Sequence, residues 1–130
     1  MQKNFGKNAG WREIGGKHIY LKSRWEANYA YFLEWSKQVC LIADWEYEPQ
    51  TFWFEGIKRG CVSYKPDFKV QHLLGSHHWV EVKGYYDARS KTKIKRFKKY
   101  FPNETLIVID KKWYSKNNRK LSRLIKGWEK

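Results

Sequence analysis

The sequence predicts an α/β domain built on a mixed β-sheet flanked by helices. Three observations predict it. YKPDF sits in an apolar, aromatic-rich run, and LLGSH turns the chain from that run into a second one, HWVEVKG, the pattern of two paired strands. TLIVID is a continuous apolar run of the kind found in a central buried strand. The remaining long stretches carry apolar residues at helical spacing. Alternation of helices and strands then implies a layered α/β arrangement.

Taken in order, WREIGGKHIYLKS (11–23) reads as two short extended pieces about a Gly15-Gly16 turn. A helix follows over 23–39, with Trp25, Tyr29, Phe32 and Leu33 on one face. Ala43 to Glu48 and Thr51 to Glu55 read as extended, with Pro49 between them. Gly56 and Gly60 bracket a turn leading into CVSYKPDFKV. Asp87 or Ser90 caps a basic helix that runs to about Tyr100, turns Ile94, Phe97 and Phe101 inward, and stops at Pro102-Asn103. TLIVID (105–110) comes next, and the tail carries Leu121, Leu124, Ile125 and Trp128 at helical spacing. The expected organisation is one domain over 1–130: a hairpin arm (12–22), a core (23–110) and a basic helical tail (111–130).

A chain of 130 residues with 42% hydrophobic residues, 8 Trp, 9 Tyr and 7 Phe has the material for one modest core. No apolar run approaches a membrane span, and MQKNFGKNAGWRE lacks the apolar centre of a secretory leader. Its 2 cysteines lack CxxC spacing, so reduced thiols and an intracellular location are expected. Charge says more. Lys and Arg number 27 against 13 Asp and Glu, a net +14 at pH 7. Such an excess disfavours compaction unless a polyanion offsets it, and nucleic acid is the expected partner rather than a membrane surface.

Against that basic background the carboxylates stand out. With a turn near Leu74-Gly75, Asp67 falls about opposite Glu81, and Lys83 shares a face with Glu81 while Val80 and Val82 take the other. Two facing carboxylates repel unless a cation lies between them. Hard oxygen ligands favour Mg²⁺ or Mn²⁺, which complete their shells with water and substrate phosphate. Lys83 is then placed to orient the attacking water or to neutralise charge at phosphorus. EVK alone is ordinarily a solvated strand face with a weak ion pair. With PDF upstream and a turn between them, catalysis is the better reading. Glu26 borders the apolar stripe of the first helix, and Ala30 lets that helix approach closely. Ser23-Arg24-Trp25-Glu26 is also S-x-x-E, a capping box, so residue chemistry divides Glu26 evenly between cap and site.

Pro66-Asp67 with Glu81-Val82-Lys83, flanked by a helix carrying Glu26 and a helix after the motif, resembles the PD-(D/E)xK nuclease superfamily. GGKHIYLKSRWEANYAYFLEW, YKPDF and VEVKGYYDARSKTKIK together are similar to small phage-encoded nucleases and to phage Holliday-junction-resolving endonucleases, over roughly residues 12–110. The resemblance implies an αβββαβ core. It implies metal ligation by Asp67, Glu81 and the backbone carbonyl of Val82, a water-assisting Lys83, and Glu26 completing the site. It further implies a homodimer, for which the N-terminal hairpin is available as an arm, and, for a phage-encoded enzyme, the cytoplasm of a bacterial host.

The expected activity is Mg²⁺- or Mn²⁺-dependent hydrolysis of DNA, non-specific or structure-selective. Its rivals are a resolvase restricted to branched DNA and a basic binding module without chemistry. Arg89, Ser90, Lys91, Lys93 and Arg96, in and before the basic helix, are the expected phosphate contacts, although a charge run is more often a solvated face. His72, His77 and His78 read as loop residues rather than a zinc site. Trp79 and the aromatics of DWEYEPQTFWF read first as packing. Glu46 and Glu48 alternate outward, with a role at the metal as the lesser alternative.

Overall fold

A computed structural model describes residues 8–129 of the chain. MQKNFGK, on which much of the expectation about a leader rests, and Lys130 at the end of the tail lie outside the described residues. Strands β1 (Gly10–Ile14) and β2 (Lys17–Leu21) form an antiparallel hairpin. Gly15 and Gly16 turn it with φ of 59° and 80°. At Gly15 the positive φ is what favours glycine, and a side chain there would also push the Glu34 carboxylate aside. Helix α1 (Arg24–Gln38) begins at Ser23, whose hydroxyl accepts the Glu26 N–H at 3.1 Å. Ala27 and Ala30 are fully buried on it, which lets α1 lie close against the sheet.

The main sheet joins β3 (Asp44–Tyr47), β6 (Phe68–Gln71), β7 (His77–Val82) and β8 (Leu106–Ile109) in the order β3-β6-β7-β8. β3 and β7 run antiparallel to β6, and β8 runs parallel to β7. The short strands β4 (Phe52–Trp53) and β5 (Ser63–Tyr64) form a separate hairpin between β3 and β6 in the chain. Helix α2 (Ala88–Tyr100) crosses from β7 to β8, and helix α3 (Lys111–Leu124) follows β8. The chain is a small α/β domain with a mixed sheet.

Alternation along β6 and β7 divides the core. Phe68, Val70, Val80 and Val82 face α1 and α3, packing with Leu33, Tyr114, Leu121, Ile125 and Trp128. Trp79 faces the opposite way into Phe52, Phe54, Tyr64 and Phe97, beneath α2. The carboxyl-terminal segment is therefore part of the core rather than an appendage. Tyr114 stacks on Trp25 with ring centres 4.0 Å apart. Arg12 holds Glu129 through two N–H donors at 2.7 and 3.0 Å, and the Asn28 side chain exchanges two bonds with the Glu129 backbone.

Several expectations change. TLIVID supplies an edge strand, not a central one: β8 ends the sheet, and Ile107 is 42% exposed. Its apolarity serves the packing of Ile109 and Leu106 on the two core clusters. In the tail, Leu124 is exposed and Trp128 lies beyond the helix, although Trp128 still packs in the core. His77 and His78 belong to β7 rather than to a loop. Trp53 is exposed, while Trp45, Phe52 and Phe54 are buried as expected of packing residues. Among the described residues no helix is long and apolar enough to cross a membrane.

Candidate active site

Pro66 and Asp67 interrupt the run from β5 to β6, because a proline has no N–H to give a ladder. Phe68 pairs with Val80, so the same register sets Asp67 against Glu81 and Pro66 against Val82. Lacking a regular partner there, the Val82 N–H donates to Asp67 Oδ2 at 2.8 Å. On its other side the Asp67 carbonyl accepts the Glu48 N–H at 2.7 Å. The break therefore occurs at the start of a central strand, and two neighbouring strands pin it.

Glu81 lies near the end of β7 with its carboxylate divided between two partners. Tyr64 donates its hydroxyl to Oε1 at 2.5 Å, and Lys83 Nζ stands 3.3 Å from Oε2. Lys83 itself falls just past the strand end, where its N–H donates to the Ile109 carbonyl at 2.9 Å. Glu26 arrives from the first turn of α1. Its Oε1 accepts the Tyr47 hydroxyl at 2.7 Å and the Lys22 N–H at 3.2 Å. The reach-back of the capping box thus lands one residue before Ser23, and the same carboxylate lines the cleft.

Asp67, Glu81 and Glu26 are only 6%, 6% and 9% exposed. Burial pushes the Asp67 carboxyl well above the ordinary carboxylate range, and the charges of Glu81 and Glu26 push it the same way against the Val82 N–H and Lys83. Burial likewise raises Glu81 against the pull of Tyr64 and Lys83, and raises Glu26 against Tyr47 and Lys22. Gathering these acids costs stability in the absence of positive charge.

They open on a cleft of about 1220 Å³, also lined by Lys22, Arg24, Lys65, Lys83, Arg89 and Lys93. Of the residues expected to contact phosphate, Arg89, Ser90 and Lys93 line this cleft and Lys91 and Arg96 do not. Lys91 is exposed on another face, and Arg96 donates to the Cys61 carbonyl at 2.7 Å, bracing the β4–β5 connection. Trp79 is buried and donates from Nε1 to Glu104, so it packs and is not available to a base.

Four contributors escaped the sequence reading. Tyr64 and Tyr47 hold the carboxylates, and Lys22 and Lys65 flank Glu48, with Nζ to carboxylate distances of 2.5 and 3.5 Å. Tyr64 stands in the same YKPDF segment as Asp67, and Glu48 follows Tyr47 directly, so proximity in sequence was the available signal. Glu48 also adopts a positive φ of 46°, rare for a side chain of its size.

Among the described residues no three His, Cys, Asp or Glu side chains form a metal-holding group by themselves. The buried pair Asp67 and Glu81 is a hard-oxygen set of the size Mg²⁺ and Mn²⁺ accept, since these ions keep waters and take further oxygens from a phosphate. The donors therefore fit a divalent cation that keeps open coordination positions. Compared with known proteins, the chain matches no family model, no curated protein and no solved structure.

Proposed function

We propose that the cleft hydrolyses phosphodiester bonds of DNA with Mg²⁺ or Mn²⁺. One observation carries the reading: Asp67 and Glu81 are buried opposite each other with Lys83 against Glu81, at the floor of a cleft whose rim is basic. A surface that only binds phosphate gains nothing from buried acids aimed at it. The order α1, β3, β6, β7, α2, β8, with the β4–β5 hairpin inserted, supports an αβββαβ core and the PD-(D/E)xK resemblance.

In this mechanism Asp67, Glu81 and the Val82 carbonyl would hold the cation, and Glu26 would add a carboxylate from α1. When bound, the cation would supply charge neutralisation at phosphorus and a more acidic water. Lys83 orients that water and balances negative charge as it develops. Tyr64 and Tyr47 fix the rotamers of Glu81 and Glu26. Arg89, Ser90 and Lys93 seat the backbone of the polynucleotide. The homodimer implied by the resemblance has an exposed aromatic face available in the β1–β2 hairpin, where Trp11 stacks on His18.

The test is to incubate the protein with supercoiled plasmid, linear duplex and a four-way junction, with Mg²⁺ or Mn²⁺ and with EDTA, beside Asp67→Ala and Lys83→Met. The expected result is metal-dependent cutting that both variants lose. Cutting of the junction alone selects a resolvase. Binding without cutting on every substrate leaves the non-catalytic module.

A further inference from the structure

The acidic cleft does not end at Lys83. A second groove of about 560 Å³ continues from it, and Lys83, Gly84 and Tyr85 border both. Its far wall is the start of α3, with Lys111, Lys112 and Ser115 all exposed. Asp110 also lines this groove, and its Oδ1 accepts the Trp113 N–H at 3.1 Å as the cap of the helix. The ridge between the two depressions is Tyr85, 79% exposed. A bare aromatic ring in so basic a chain is poor packing but a good platform for a base.

Resting on the nuclease reading above, we propose that Tyr85 and the Lys111–Lys112 groove form a subsite for an unpaired nucleotide beside the scissile phosphate, its base stacked on the Tyr85 ring. Two residues of backbone separate Lys83 from Tyr85, roughly 7 Å at full extension. A base on Tyr85 therefore belongs to a nucleotide adjoining the one at Lys83. Inside a duplex each base face is covered by its neighbours, and the ring cannot be stacked on without unstacking the helix. An unpaired base has a free face and no such cost. Lys111 and Lys112 then receive the phosphate that leaves the cleft, as point charges without sequence preference. The lining thus selects for the state of the strand rather than for base identity.

The experiment uses the whole chain in EDTA, with a short DNA strand carrying 2-aminopurine, a flapped duplex with the analogue in the flap, and the fully paired duplex. Wild type is expected to bind the unpaired forms more tightly than the duplex and to quench the analogue. Tyr85→Ala should weaken binding of the unpaired forms by roughly five- to 150-fold, the range of one lost base stack. Tyr85→Trp should restore both affinity and quenching. Replacing Lys111 and Lys112 by alanine should flatten the salt dependence of single-strand binding by about 0.7 per lysine.

Unpaired DNA binding that is unchanged in Tyr85→Ala overturns the subsite, and metal-dependent cutting in a parallel Mn²⁺ reaction would leave the nuclease reading standing. The converse, Tyr85-dependent binding and quenching with no cutting under any metal, supports the subsite and removes the nuclease reading. Tighter binding of paired DNA than of either unpaired form by wild type also overturns the subsite.

Discussion

The hydroxyl of Tyr64 donates to Oε1 of Glu81 at 2.5 Å, linking the last residue of β5 to the end of β7 across the floor of the cleft. Both groups are buried, and Tyr64 loses much of its acidity to burial and to the adjacent carboxylate. The bond fixes one oxygen of Glu81, leaving the other to Lys83. Tyr64→Phe removes the donor without removing the ring, and an unsatisfied buried acceptor costs about 1–3 kcal/mol. Because Tyr64 holds the Glu81 pKa down, the variant should also move the acid limb of the pH–rate profile to higher pH. Urea titrations and activity against pH read the two effects; an unmoved limb would separate Tyr64 from the site.

The three buried acids make the stability of the metal-free protein depend on pH. Asp67, Glu81 and Glu26 all have folded pKa values above their ordinary ones. A carboxyl of that kind contributes stability below its unfolded pKa and loses it as pH rises through the folded value. His78 works in a different window: burial and the neighbouring His72 and His77 depress it to about 4, so its contribution is complete above the ordinary histidine value of 6.5 and is lost as pH falls towards 4. Asp67→Asn should therefore raise the melting temperature at neutral pH in EDTA, by an amount that shrinks on mild acidification. Adding Mn²⁺ should stabilise wild type by about 2.7 kcal/mol at a hundredfold excess over Kd and stabilise the variant far less. Equal metal stabilisation of both would argue against Asp67 as a ligand.

Glu26 lies in the first turn of α1 and, on the proposed reading, also completes the metal site; different substitutions separate the two roles. Ser23→Ala removes the bond to the Glu26 N–H and should cost about 1 kcal/mol of stability. Glu26→Gln keeps an oxygen for the Lys22 N–H and Tyr47 hydroxyl, so the fold should survive while a metal loses a charged ligand. We expect a loss of activity on the order of tenfold or more, in the range of a metal-site neighbour. Full activity in Glu26→Gln would leave the residue as a cap alone.

Glu48 restrains the positive rim of the cleft. Its carboxylate meets Lys22 and Lys65, and its backbone N–H holds the Asp67 carbonyl. Although burial depresses Lys22, the bond and charge of Glu48, with Glu26 and Asp67, raise its pKa overall. Glu48→Gln should free both lysines for phosphate, tighten non-specific DNA binding severalfold, and steepen the plot of log Kd against log salt by about 0.9 for each lysine that reaches a phosphate. Fluorescence anisotropy over a salt series measures this. An unchanged slope would mean that these lysines do not reach the polymer.

Local chemistry was enough to locate the elements that carry the acids. A two-residue glycine turn, the helical stripe Trp25-Tyr29-Phe32-Leu33 and the LLGSH turn each depend on neighbours within a few residues, and each formed where its pattern stood. The opposition of Asp67 and Glu81 also followed, because one tight hairpin fixes the register between them. TLIVID misled because an apolar run reports burial on either face but says nothing of how many strands lie beside it.

By itself, then, the sequence determined the α/β class, the pairing of the two acids and the basic surplus around them, since these follow from period, turn chemistry and composition. Tertiary structure alone decided that Tyr64 and Tyr47 would hold the carboxylates, that Glu48 would gather two lysines, and that Lys93 but not Lys91 would face the cleft. It also decided that the tail would close the core through Glu129 and Arg12. Each of those contacts joins elements whose separation is set by how helices and hairpins stack on the sheet, and no local pattern encodes that distance.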